Sequence, residues 1–409
     1  MTDAYAFEAA RVSAWSDTSR LISQGGIDEL AAHAEENDRS GRLSDRSIDV
    51  LREAGYFGLP VPRDFEGQGA SVEECCAVQR RIGAADPALA IATSMHLFSV
   101  GVVVEHWNRN HDESWMLLEA IASQQRIVSN AFAEPGLAGA LTRSNCVARR
   151  SGEDWILDGL KVPCSLAERS DLLCLQMMDE QDGEDALMVA LLATRSPGIR
   201  TERTWNTLGM RATESDSVRF EQCRFSDDLV FHRTEPGSQS DEVFAAGIAW
   251  FCVASTASYL GVISAAVDES RVALQKSRIT HLDASRSQLP SFQGALGDIM
   301  SLVLPMEWSC AGLARQLGEK GTDPRALIPS ALALKQQTAQ LATTAVAMAA
   351  ELVGVGSYSA NGKVARLLRD AQAARYHPPT RFATRQLLGR WALGLPFGFE
   401  LDENPVGDH

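Results

Sequence analysis

The chain has 409 residues, 45% of them hydrophobic and 22% charged, which is ordinary globular usage with enough apolar material for a sizeable core; collagen-like and disordered classes are excluded. Lys plus Arg total 38 against 53 Asp plus Glu, a formal net charge of -15, so polyanionic partners such as nucleic acid or anionic membrane are repelled at long range. The eight cysteines are scattered with no CxxC pair, as expected of reduced thiols in the cytoplasm. The acidic start from Met1 and the Gly407-Asp-His409 end match no address signal.

In chain order, the stretch to about residue 125 reads as helical. Ser71-Val-Glu-Glu74 is a capping box, and Asp86-Pro87 pairs an N-cap with a proline at the first helical position, where its missing N–H costs nothing. The helix that follows, Ala88 to Val104, is apolar nearly all round, but Thr93, Ser94, His96 and Ser99 interrupt it, so a buried bundle helix is expected. From Arg126 to about Phe231 short β-type runs alternate with turns: 126–133, 145–150, 155–157, 172–177, 186–193 and 217–225, with polar connectors at Ser151-Gly152-Glu-Asp and Asp179 to Glu184. Four long helical patterns close the chain at 241–277, 291–318, 324–353 and 361–395, the third begun by Asp323-Pro324. Gly354-Val-Gly356 follows a helix and lacks a third glycine, so it reads as a helix C-terminal turn rather than a dinucleotide loop. Walker loops, zinc spacings and serine-hydrolase elbows are missing, and no metal is expected.

The segment Trp205-Asn-Thr-Leu-Gly-Met-Arg-Ala-Thr213-Glu-Ser215, running on to Phe225, resembles the signature closing the β domain of the acyl-CoA dehydrogenase family. Ala133-Glu134-Pro135-Gly136, Asp158-Gly159-Leu-Lys161 and Arg366-Leu-Leu-Arg369-Asp370-Ala371 match in the same order. The resemblance implies an α+β multidomain fold: an N-terminal helical domain (1–125), a central antiparallel β-barrel (126–235) and a C-terminal four-helix bundle (236–409). It implies a flavin, FAD or FMN, between barrel and bundle, in a homodimer or homotetramer.

Family desaturases need a carboxylate to remove the substrate α-proton. Where most of them carry Glu after a Tyr, this chain has Tyr376-His377-Pro378-Pro379-Thr380, and the alternative position falls near Phe251. The CoA-contacting Arg falls near Cys252, a Ser after the Glu-Pro-Gly turn is Gly139, and the flavin-pyrophosphate motif survives only as Arg278-Ile-Thr-His. What remains, His96, Ser165 and His377, resembles the oxygen-using two-component flavin monooxygenases of the family, with the three as catalytic residues. By the same resemblance Phe132, Ala133, Ser165, Trp205, Arg278, Glu351 and Gly354 contact the cofactor, Glu351 across to a neighbouring subunit's flavin. A separate reductase would supply reduced flavin, and O2 would be the co-substrate, acting through a C4a-hydroperoxide on a small organic molecule. The alternatives are an acyl-CoA or acyl-carrier-protein dehydrogenase with a non-standard base, and a non-catalytic binding subunit. His96 and His377 each also read as plain packing residues, and Cys164 as a small buried hydrophobe.

Overall fold

A computed structural model describes residues 13–179, 186–238, 240–396 and 398. The two chain ends and most of the Asp179 to Glu184 connector lie outside the described residues.

The first layer is helical: α1 (Gln24–Ser40), α2 (Asp45–Glu53), α3 (Val72–Ala85), α4 (Pro87–Asn110) and α5 (Trp115–Ser123). Local chemistry accounts for their starts. Ser71 and Glu74 exchange both bonds of the capping box before α3, and the Asp86 carboxylate accepts from the N–H groups of Ala88 and Leu89 ahead of Pro87. The strands follow: β1 (Val128–Ala131), β2 (Val147–Ser151), β3 (Asp154–Cys164), β4 (Leu172–Asp179), β5 (Ala186–Ala193), β6 (Ile199–Glu202), β7 (Asp216–Ser226) and β8 (Val230–Thr234).

These eight strands form one open, mixed sheet rather than the expected antiparallel barrel. Their order is β6-β7-β3-β2-β4-β5-β8, with β1 joined to β4; β1 and β2 both run parallel to β4. The edges β6 and β8 are not paired with each other among the described residues. Both are short and partly exposed, so neither offers the long apolar ladder that closure requires.

The C-terminal layer contains α6 (Glu242–Lys276), the small β9 (Arg278–Ile279) and β10 (Ala284–Ser285) hairpin, then α7 (Pro290–Leu317), α8 (Pro324–Val353), α9 (Lys363–Gln372) and α10 (Arg381–Ala392). The fourth expected helix is thus two, broken where Pro378 and Pro379 remove backbone donors. Gly354 ends α8 as a turn, its N–H bonding the Ala350 carbonyl. α4 and α6 are long and apolar enough to cross a membrane, yet their apolar stretches are buried almost entirely within the protein. α3 and α6 cross with backbones nearly touching: a Cβ on Gly83 would lie 2.2 Å from the Ser258 oxygen, and one on Gly261 2.1 Å from the Arg80 oxygen.

All eight thiols are free and buried, and burial pushes Cys164 up to about 12, as a packing role requires. One buried ion pair ties the first layer to the last. The Arg80 guanidinium donates to both Glu307 oxygens at 2.7–2.9 Å, and Trp15 Nε1 donates to Glu307 Oε2 at 2.6 Å. Glu307→Ala leaves the guanidinium buried and unpaired, and is expected to cost about 3–5 kcal/mol in urea unfolding. Arg80→Met with Glu307→Leu should recover most of that loss; a single variant as stable as the parent would refute the assignment.

Candidate functional site

A cavity of about 870 Å3 lies where α4, the sheet and the α9–α10 connection meet. Such a volume is typical of small-molecule and cofactor sites. Its wall is mostly apolar: Ile91, Met95 and Phe98 from α4, Phe132 after β1, and Phe251 from α6. The aromatic members support one another, with Phe98 centroids 5.4 Å from Phe132 and 6.0 Å from Phe251.

Polar groups converge at three places on this wall. The first is a hydroxyl chain, Ser165 Oγ to Ser215 Oγ at 2.9 Å and on to Thr213 Oγ1 at 2.8 Å, which Thr213 ends by donating to the Met210 carbonyl. Trp205 stands beside it with its indole fixed by an Nε1–H bond of 2.9 Å to the same carbonyl. The second is Asn130, whose Nδ2 donates to Ser99 at 3.2 Å. The third is His377, held at Nε2 by the Tyr259 hydroxyl at 2.7 Å. Burial, reinforced by the Lys335 charge, pushes His377 down to about 3, so its ring is neutral at working pH.

Glu134 is the carboxylate among the described residues lining the cavity, and it is fully engaged. Lys161, wholly buried like Glu134's own carboxylate, pairs with Oε1; Ser144 donates there as well, and the Asn145 N–H donates to Oε2 at 2.6 Å. With its charge cancelled and its oxygens occupied, Glu134 is not available as a free base.

Of the residues singled out from sequence, Phe132, Ala133, Ser165, Trp205 and His377 are brought together on this cavity. His96 is not. It is completely buried, its Nε2–H donates to the Phe57 carbonyl and its Nδ1 accepts from the Val128 N–H, both at 3.0 Å. With both nitrogens used by backbone, and the ring pushed down to about 4 by burial, it joins α4 to β1 as a structural residue. Arg278, Glu351 and Gly354 also lie off the cavity: Arg278 is exposed and donates to the Asp283 carbonyl at 2.9 Å, while Glu351 and Gly354 sit at the end of α8. Asn130, Tyr259 and Lys335 were not anticipated. Tyr259 is hidden inside an apolar run, and Lys335 has the look of an ordinary surface lysine.

Residues 25–117 match the acyl-CoA dehydrogenase N-terminal domain and residues 129–223 the acyl-CoA dehydrogenase middle domain. These are two successive domains of the acyl-CoA dehydrogenase family, and together they span a little under half of the chain. Among its relatives, isobutylamine N-hydroxylase of Streptomyces viridifaciens is 25% identical over 358 residues, covering 85% of this chain and 89% of the relative. Dibenzothiophene monooxygenase of Rhodococcus qingshengii is 28% identical over 262 residues, 61% of this chain and 60% of the relative. KijD3, solved in complex with FMN and dTDP-3-amino-2,3,6-trideoxy-4-keto-3-methyl-D-glucose, superposes with a TM-score of 0.83 at 22% identity, over 95% of this chain and 96% of that one. At that identity the superposition establishes the acyl-CoA dehydrogenase fold.

His96→Leu tests the structural reading of that histidine. It strands one buried donor and one buried acceptor, so stability should fall by about 2–4 kcal/mol while the folded variant keeps its cofactor affinity. The pH dependence has a definite sign. A base held near 4 in the fold and 6.5 when unfolded lets the unfolded state bind more protons, so parent stability falls by about 3 kcal/mol as pH drops from 6.5 to below 4. Chemical denaturation across that range should show a shallower slope for the variant; an unchanged slope would overturn the assignment.

Proposed function

We propose that the protein is a flavin-dependent monooxygenase that receives reduced FMN or FAD from a separate reductase and oxygenates a small organic molecule. The observation that carries this reading is the cavity wall: a neutral imidazole, His377, stands on it, and its carboxylate is cancelled by a buried lysine. Removal of an α-proton from an acyl thioester needs a strong base, and an imidazole held near 3 is a weak one while Glu134 is engaged by Lys161. The relatives point the same way, and an N-hydroxylase among them makes an amine nitrogen the first substrate class to test.

The residues present fit a flavin. Gly209, on the cavity wall, packs so closely on α9 that a Cβ would lie 2.3 Å from the Arg369 carbonyl. Trp205 presents a fixed ring for a planar group to pack on, and the linked hydroxyls of Ser165, Ser215 and Thr213 offer donors and acceptors for its polar edge. Phe132 and Ala133 would border the same ring system. When bound, reduced flavin supplies the two electrons that send one atom of O2 into product and the other into water. Around it Ile91, Met95, Phe98 and Phe251 would exclude water, Ser165 would offer a hydrogen bond to its polar edge, and His377 would accept or donate a proton as a neutral ring. Arg278, Glu351 and Gly354 reach a cofactor only where a second copy docks its own cleft against the end of α8, in the homodimer or homotetramer that the resemblance implies.

Full-length protein with reduced FMN, mixed with 18O2 and a panel of small amines, tests the proposal. One 18O atom should enter the product, and oxidised flavin colour should return only after a lag. Ser165→Ala should lower product formed per reduced flavin by about 10- to 100-fold, with hydrogen peroxide released instead. Anaerobic bleaching of oxidised flavin by an acyl thioester would overturn the reading in favour of a dehydrogenase.

A further inference from the structure

Behind His377 the polar wall continues into the C-terminal layer. Tyr259, Thr256, Lys335, Thr338 and His377 surround a second, small cavity of about 10 Å3. That is the lower limit for one water molecule. The hydroxyls of Thr256 and Thr338 are fully buried and have no partner among the described residues. Two unpaired buried hydroxyls beside a polar hole are the arrangement in which an internal water is retained.

Lys335 closes this hole from α8. Its ammonium donates to the carbonyls of His377 at 2.7 Å and Pro379 at 3.0 Å, and no carboxylate pairs with it among the described residues. A buried ammonium without a counter-ion costs several kcal/mol, which two carbonyl bonds offset only in part. It therefore calls for a role beyond holding a loop. On the other side, Nδ1 of His377 has no partner among the described residues and is not sealed from the large cavity.

We propose that Lys335 is the inner terminus of a proton relay that runs through one buried water and the Tyr259 hydroxyl to His377 on the cavity wall. The relay deepens the monooxygenase reading, on which the identity of the proton's source in the cavity rests. With Lys335 neutral, the chain is oriented inward: His377 Nε2–H donates to Tyr259, the Tyr259 hydroxyl donates to the water, and the water donates to the amine. A proton leaving a group in the cavity forms an N–H bond at His377 Nδ1. The Nε2–H bond breaks as its proton passes to Tyr259 Oη, the phenol proton passes to the water, and a water proton bonds to the Lys335 nitrogen. One proton has moved inward, no electrons have moved, and the ring has changed tautomer while staying neutral. The reverse sequence delivers a proton to the cavity.

The charges around the relay favour both states near neutral pH. Burial pushes Lys335 down to about 8 and, with the lysine charge, His377 down to about 3. From α6, Cys252 and Tyr259 face this region, the phenol held well above its usual range by burial and then by Asp370. Asp370, on α9, is itself pushed up to about 7 by burial and accepts from the Met210 N–H at 2.6 Å. Arg375 turns away to Thr343 at 3.0 Å. The imidazole thus passes the proton without keeping it, and the amine keeps it.

The test uses the full-length chain, without flavin, carrying 13C-labelled lysine and 15N-labelled histidine. Lys335 should titrate near pH 8, and over the same range the His377 nitrogen signals should change from the Nδ1–H to the Nε2–H tautomer. Tyr259→Phe should leave the Lys335 midpoint in place and abolish the tautomer change. Lys335→Met should abolish it too and raise the pH at which His377 protonates. With reduced flavin and O2, the parent should show a pH limb near 8 in flavin reoxidation that both variants flatten. A Lys335 midpoint at 10 or above, or His377 signals that do not move through it, overturns the relay. Because the labelling arms contain no flavin, they stand or fall separately from the monooxygenase reading.

Discussion

The near contact of the α3 and α6 backbones, allowed because Gly83 and Gly261 carry no side chain where the two helices cross, is the constraint on which the site depends. It seats a helix of 35 residues deep inside the protein, and a helix so placed must present different residues to different neighbours at a 3.6-residue period. Phe251 then meets the large cavity, while Cys252, Thr256 and Tyr259, at spacings of four and seven residues, share the stripe that meets Lys335 and His377. A side chain at either glycine would push the helices apart and take Tyr259 away from the imidazole.

Charge placement then distinguishes this cleft from one built around a free carboxylate base. Two buried lysines do opposite things. Lys161 cancels the Glu134 carboxylate on the cavity wall, whereas Lys335, with carbonyls for partners, leaves a positive charge behind His377 that adds to burial in keeping the ring unprotonated. The wall that results is mostly apolar, with neutral donors and acceptors at a few points and its Arg369 charge paired with Asp38. It suits a reaction that has to be kept from water more than one that must hold an anion.

Much of the fold was legible because its signals are local. The capping box at Ser71 and the Asp86-Pro87 and Asp323-Pro324 starts each satisfy helix-end groups with side chains a few residues away, and all three were found as expected. Strands β6 and β8 escaped notice because short, half-exposed edge strands carry little apolar alternation. Closure of the sheet was expected by family likeness, but pairing between strand edges is a long-range property, and the edges stay apart. Ser165 and His377, placed by the motifs that flank them, both line the cavity. His96 was placed at the cavity by family resemblance, although only the neighbouring backbone of Phe57 and Val128 could show where its nitrogens point.

The amino-acid order alone determined the helix, strand, helix sequence and the capped starts, since each depends on residue type and near neighbours, whereas the reading of His377 as standing at a desaturase's carboxylate position came from the family resemblance. Packing decided which histidine reaches the cavity, that Glu134 is neutralised, and that Lys335 lies buried beside Tyr259. Solvation and hydrogen-bond partnership arise between residues far apart in the chain, 118 positions for Tyr259 and His377, and such separations leave no periodic or spacing signal in a single chain.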